Sequence, residues 1–499
     1  CALPIYIAFP SNVHPLLNLS SFYFNIVEKK CKVILNVKEY PMNFKQSIQA
    51  EKEDIIKSIC QLVSIPSTEG RPAYGMPFGE GPAKALQYVL DLGRNMGFHV
   101  ENFDNYAGHI EFGEGEKTLG ILCHADVVPC GEGWICDPYV PEIIDGILYG
   151  RGVLDDKGPL IVCLYAMKIL KDLQIPLGKK VRLIVGTNEE TNWGCMDYYF
   201  NQKHVPFPDL AFTPDAEFPL KYAEKGVLQY ELTMPLTGEI SFSGGNAVNS
   251  VPETATVLLP SSCLSDLLAN QSALEKEYGC KLDMLASEDG IHLTVSGTAA
   301  HAARPEMGIN AITGAMAAVD SLHLQGDLGA AADFYMKYIG KDLSGQHIGA
   351  GFSDNESGSL TFNVGKVTVR DHRLILSIDN RVPVTYSCHD VTLAVQKTIA
   401  KTPFSLEHEY ATDSILIPRD SFLVTTLMDV YKRITGDINA KPEVDGGCTY
   451  ARTMPNCVAF GALLPDQPNT MHEKNEGLHV RLIDTWMELY LEAIYQLAK

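Results

Sequence analysis

LGILCHADVV, residues 119–128, is an apolar run that stops in a histidine and, two residues later, an aspartate. Residues 119–123 contain no polar side chain, so they read as a strand buried on both faces, the pattern of a parallel sheet covered by helices. His124 and Asp126 then stand at the strand's carboxyl end, where open parallel sheets bind ligands.

Outward from this run, 181-VRLIVG-186, 210-LAFT-213 and 457-CVAFGALL-464 repeat the pattern of short apolar stretches bounded by Gly, Pro and Asp. Helical spacing of apolar residues marks 48–65 and 83–98, and 159-PLIVCLYAMKILKDL-173 reads as a helix with proline in its first turn. Strands alternating with helices predict an α/β domain, a mostly parallel sheet flanked by helices. From about 221 to 412 the character changes. Runs such as 227-VLQYELTM-234, 291-IHLTVSG-297, 360-LTFNVGKVTV-369 and 373-LILSID-379 tend toward apolar–polar alternation, with helices at 310–324 and 389–401. Alternation predicts a sheet with one wetter face, hence an inserted α+β domain at 221–412 between two parts of the first domain, 42–220 and 413–499. Residues 1–41 are apolar in patches but broken by Pro10 and Pro15, with neither a spanning run nor a basic start. They are expected to lie outside the native fold, with Met42 as the start.

A net charge of −21 repels nucleic acid and anionic membrane surfaces and attracts cations, which argues against both as partners. Thirteen scattered cysteines without a CxxC pair fit a reducing, cytoplasmic setting. Cys123, Cys195 and Cys448 lie near the strand ends and read as packing residues.

Each apolar run of the first domain is followed by metal-type ligands: His124 and Asp126, then Glu189 and Glu190, then Asp215, then, after a long loop, His472. Asp155 and Asp156 precede the helix at 159. Singly, each feature has a bland reading: a strand-end turn, an aspartate cap, or glutamates at a helix N-terminus. Together at one sheet edge, so many carboxylates resist ionising side by side unless cations compensate them. Mixed histidine and carboxylate donors suit zinc, with manganese or cobalt as alternatives, in a two-metal site bridged by one carboxylate.

The blocks 124-HADVVPCGEGWICDPYVPEIIDGILYGRGVLDDKGP-159, 186-GTNEETNWGCMDYYF-200, 214-PDAEFP-219 and 472-HEKNE-476 resemble the co-catalytic zinc metallopeptidases that include aminoacylase, carboxypeptidase G and, most similar, the PepV-type dipeptidases. The resemblance runs from about residue 42 to the C-terminus and implies a zinc-exopeptidase-like catalytic domain with the insert as a lid. It implies that Asp155 bridges two ions, with His124 and Asp215 on one and Glu190 and His472 on the other, and with a cis peptide following Asp155. Asp126 would orient the His124 imidazole. Glu189 would be the general base that takes a proton from the attacking water and returns it to the leaving amine. His301 in 297-GTAAHAARPEMGINA-311 would stabilise the oxyanion from the lid. Asn249 and Arg381 would contact substrate, Arg381 by bidentate capture of a carboxylate, and Gly446 and Gly447 would offer a backbone strip. Ser250 stands where the dipeptidases commonly carry methionine, which bears on specificity and not on the metals. The expected function is hydrolysis of short unblocked peptides, by analogy in a monomer. Alternatives are an N-acyl amino acid deacylase on the same scaffold and a non-catalytic, metal-stabilised peptide-binding protein.

Overall fold

Two sheets organise the chain, and the chemistry-bearing strand ends belong to the first. The structure, a computed structural model, describes residues 44–499; the segment 1–41 set apart above lies outside the described residues.

The first sheet has nine strands, ordered His99–Phe103, Ala107–Phe112, Lys180–Gly186, Thr118–His124, Leu210–Thr213, Cys457–Ala459, Lys221–Glu224 and Ile415–Leu416, with Glu443–Asp445 also pairing on Lys221–Glu224. Its centre is parallel: Thr118–His124 lies between Lys180–Gly186 and Leu210–Thr213, which pairs in turn with Cys457–Ala459. Antiparallel pairs occupy the edges. The run 119–123 is wholly buried, as a strand covered on both faces must be. Helix Lys157–Asp172 is buried from Lys157 to Met167 without a break, because it packs against the sheet and against Leu482–Ala498.

One glycine here is obligatory for space. A Cβ on Gly186 would fall 2.0 Å from the Tyr450 hydroxyl, itself buried beside Cys195. The expected strand 457–464 is two pieces, Cys457–Ala459 and Ala462–Leu463; the second pairs with Ala216–Glu217 immediately beyond Asp215. A separate three-stranded sheet joins Gly477–His479, Ile147–Tyr149 and Glu142–Ile144.

The second sheet has eight strands, all antiparallel, running from Gly226–Pro235 to Ser405–Thr412 in sequence. Strand Lys221–Glu224 belongs to the first sheet, so the chain changes sheets at Lys225. Helices Leu264–Tyr278, Ala311–Asp320, Asp327–Tyr338 and Cys388–Ile399 contribute to this sheet's apolar core. Both crossings between the sheets meet one guanidinium. Arg452 donates to the Glu224 carboxylate at 2.7 Å, to the Asp413 carbonyl at 2.8 Å and to the carbonyl of Lys225. The Arg452–Glu224 pair is buried, and Thr449 supplies a further hydrogen bond to the carboxylate at 2.6 Å.

Candidate active site

Parallel strands end on the same sheet edge, so residues distant in sequence meet there. His124 is the last residue of Thr118–His124, Glu189 and Glu190 follow Lys180–Gly186, and Asp215 follows Leu210–Thr213. Asp155 and His472 arrive on loops, and a buried carboxylate ties those loops together. Glu476 accepts the backbone N–H groups of Gly152, Leu154 and Asp155 at 2.9, 2.7 and 3.2 Å, and the Arg151 guanidinium at 2.7 Å. Arg151 also donates to the Glu473 carbonyl, so the segment carrying His472 and the turn carrying Asp155 share one anchor.

Asp155 lies between two imidazoles. Its Oδ1 is 2.9 Å from His124 Nε2, and its Oδ2 is 2.9 Å from His472 Nε2. Asp215 Oδ2 lies 3.6 Å from His124 Nε2, and Glu190 Oε2 lies 3.1 Å from His472 Nε2. The side chains thus sort into two sets that share Asp155. Glu189 stands apart from both ion-pair sets, accepting the Trp193 indole N–H at 3.1 Å, yet its carboxylate lies within 4.8 Å of ligand atoms of His124 and Asp215.

Asp126 meets the His124 imidazole through its backbone. His124 Nδ1 hydrogen-bonds the Asp126 backbone carbonyl at 3.0 Å, while the nearer carboxylate oxygen is 3.6 Å away. The Asp126 carboxylate instead accepts the Glu190 N–H at 3.1 Å. Asp156 does not cap the following helix with its side chain; its Oδ2 accepts the His124 N–H at 3.1 Å. The Asp155–Asp156 peptide is cis.

With Nδ1–H donated to a carbonyl, His124 turns Nε2 toward carboxylate oxygens, an arrangement that requires positive charge there, as a proton on the ring or a metal ion beside it. The titration behaviour agrees. Burial and the Asp215 charge push Glu189 well above the carboxylate range, and burial with the Asp155 charge pushes Glu190 to about 7. Burial opposes ionisation of Asp155 too, but His124 and His472 outweigh it and hold that carboxyl well below its usual range. Burial pulls His472 down, and its contacts with Asp155 and Glu190 outweigh that, pushing it to about 11. Asp126 Oδ1, Asp156 Oδ1 and Glu190 Oε1 are buried without a hydrogen-bond partner among the described residues. Divalent cations would compensate the crowded carboxylates and give Glu190 Oε1 a partner, so the nitrogen and oxygen donors present fit the metals that the sequence motifs imply. Burial pushes the Cys448 thiol to about 12, which leaves it protonated and unsuited as a ligand.

A cleft of about 440 Å³ opens beside the carboxylates, lined by Glu189, Glu190 and His472 from one side and by Asn249, His301 and Arg381 from the other. Gly447 lines it; Gly446 is not among its lining residues. Gly446 is instead a close approach to the second sheet's loop, where an added Cβ would fall 2.9 Å from the Ala303 Cβ, and its carbonyl accepts Arg381 Nη1 at 2.9 Å. His301 is exposed to the cleft and pairs in a short ladder, opposite Ser250.

Arg381 departs from the expected free fork. Its Nε and Nη2 donate to the two oxygens of Asp379 at 2.8 and 3.1 Å, so three of the five guanidinium N–H groups are already engaged. Sequence reading passed over Asp379, Glu476 and Tyr450. Asp379 sits two residues from Arg381 on the same strand face, a spacing that could have flagged the pair. Glu476 lies within the quoted 472-HEKNE-476 but acts on backbone groups, which leave no sequence signal.

A family model described as Peptidase family M20/M25/M40 matches residues 120–496. The YtjP protein of Bacillus subtilis, whose dipeptidase name is itself provisional, is 35% identical over 480 residues, covering 92% of this chain and all of the relative. A protein of Staphylococcus haemolyticus with a similarly provisional dipeptidase name is 32% identical over 467 residues, covering 91% of this chain and 99% of its own. Among solved structures, the di-peptidase Dug1p of Saccharomyces cerevisiae superposes with a TM-score of 0.55 at 14% identity, over 91% of this chain and 98% of that one, a likeness of fold.

Proposed function

Since the chain belongs to peptidase family M20/M25/M40, we propose that it is a metal-dependent dipeptidase acting on short unblocked peptides. The observation that carries this reading is Asp155 held between the His124 and His472 imidazoles, with Glu189 near His124 and lining a cleft. His124, Asp215 and Asp155 would hold one divalent cation, and Glu190, His472 and Asp155 the other. Zinc is the first choice, with manganese or cobalt as alternatives. Bound there, the two cations supply Lewis acidity that polarises the scissile carbonyl and eases loss of a proton from water.

Glu189 accepts that proton and delivers it to the leaving amine, which its position off the two ion-pair sets leaves it free to do. The Asp126 carbonyl keeps the His124 ring in one tautomer, and the Asp126 carboxylate fixes the Glu190 backbone. The domain carrying residues 226–412 acts as a lid. His301 meets the developing oxyanion from it, Asn249 contacts the peptide, and the two remaining N–H groups of Arg381 meet the substrate carboxylate. Gly447 offers backbone to the substrate. Gly446 serves by orienting Arg381 through its carbonyl. One chain furnishes both walls of the cleft, which supports a monomer. A cytoplasmic setting accords with free cysteines throughout the described residues and with the lack, among them, of a helix long and apolar enough to cross a membrane.

A panel of free dipeptides against N-acetyl and N-succinyl amino acids, run with zinc or manganese supplied, tests the substrate class. Preferential hydrolysis of the free dipeptides is expected. Preference for the acylated compounds would replace the dipeptidase reading by a deacylase one, and hydrolysis of neither would leave a binding protein.

A further inference from the structure

The edge strand His99–Phe103 carries His99 and Glu101 two residues apart, hence on one face, and the antiparallel register sets His109 directly opposite Glu101 on the neighbouring strand Ala107–Phe112. His99 Nε2 lies 3.4 Å from Glu101 Oε1, and His109 Nε2 lies 3.8 Å from Glu101 Oε2. Ligand atoms of all three residues fall within 4.8 Å of one another. We propose that His99, Glu101 and His109 form a transition-metal site, of the nitrogen and oxygen class that zinc fills, stapling the outermost hairpin of the nine-stranded sheet.

Two donors each about 2.0–2.1 Å from a tetrahedral zinc ion stand about 3.3 Å apart; the 3.4 and 3.8 Å separations run to different oxygens of Glu101, and one atom from each residue lies within 4.8 Å of the others, so a closure of at most about 1.5 Å brings one oxygen and two nitrogens to that spacing. The side chains that must adjust are the ones free to do so: His99 is 63% and Glu101 50% exposed. The third ligand is fixed in advance. His109 is buried, and its Nδ1 lies 2.7 Å from the hydroxyl of Tyr199, whose ring is wedged edge-on against Phe103 and Phe200. In the tautomer that binds through Nε2, Nδ1–H donates to the Tyr199 oxygen, the kind of hydrogen bond that orients metal-binding histidines. The 3.8 Å gap to Glu101 is too long for a hydrogen bond, so the described contacts leave Nε2 directed at the two exposed ligands.

The local charge is compatible. Arg182, whose charge reaches His109, is paired with Glu111 at 2.5 Å, and Glu101 supplies the negative charge of the trio itself. Three protein ligands leave a fourth position open to water, so the ion is exchangeable, unlike one closed in by four protein ligands. It fastens an edge strand that pairs on only one side.

Equilibrium dialysis of the full-length protein against micromolar free zinc, beside His99→Gln and Glu101→Gln, tests this without touching the cleft. The wild type is expected to retain one equivalent of zinc more than either variant and to show the larger zinc-dependent rise in thermal midpoint. Dipeptide hydrolysis should be equal in all three. Equal zinc equivalents in wild type and both variants would overturn the site. Because the readout is a difference between proteins that share the same cleft, it stands whether or not the cleft proves to be a dipeptidase centre.

Discussion

Glu189 differs from the other acidic residues of the cleft in taking its hydrogen bond from the Trp193 indole and not from an imidazole. A carboxylate that moves a proton without holding a metal can be removed without emptying the site. Glu189→Ala is therefore expected to lower turnover by about a hundred- to ten-thousand-fold while bound metal, measured by elemental analysis, stays unchanged. Glu476 has the opposite character, lying outside the cleft lining and fixing the turn that carries Asp155. Glu476→Ala strips the buried Arg151 of its partner and frees three backbone N–H groups, an expected loss of about 3–5 kcal/mol in denaturant unfolding. At this scale the sequence was legible where a side chain's own chemistry advertises its use, as for His124, Asp155 and His472. It was silent where the role depends on which backbone group a side chain meets. Glu476 is one instance, and Asp126, whose backbone carbonyl meets His124 Nδ1, is another.

Among the elements, apolar runs of the first sheet were readable because a strand buried on both faces must be continuously apolar, and 119–123 is wholly buried. Helix Leu264–Tyr278 was not, since only Leu267 and Leu274 are buried and its remaining pattern resembles a loop. The turn linking Ser353–Asp354 to Gly358–Ser359 was equally hidden, because Asp354 acts across 31 residues of sequence. Its carboxylate accepts the backbone N–H and hydroxyl of Ser357 and those of Thr385, fixing the turn to the segment that follows Arg373–Val382. Burial opposes ionisation of Asp354 more than any single hydrogen bond favours it, but the four hydrogen bonds together outweigh it, so its carboxyl lies below the ordinary value. A lowered folded value means that the unfolded chain binds the proton first as pH falls. The contribution is thus complete above about pH 4 and lost as pH drops through the lowered value. Asp354→Asn should cost about 1 kcal/mol or less at neutral pH, because solvent screens the group, and the gap from wild type should close in unfolding titrations carried toward about pH 3.

Over the whole molecule, the two sheets exchange the chain twice, and both crossings are fastened by Arg452 and its buried partner Glu224. That arrangement sets Asn249, His301 and Arg381 across the cleft from Glu189, Glu190 and His472. The alternating runs of 227–379 forecast a second sheet, but no periodicity could say which of its residues would face the first. The same scale carries the metal dependence, because the carboxylates and imidazoles of the cleft come from strand ends and loops spread between His124 and His472. The most direct test is hydrolysis of an unblocked dipeptide by metal-depleted protein during stepwise return of zinc or manganese. Activity is expected to be absent without metal and to climb to a plateau as two equivalents are restored. Undiminished hydrolysis by the depleted protein, or none after full restoration, would contradict a metal-dependent dipeptidase.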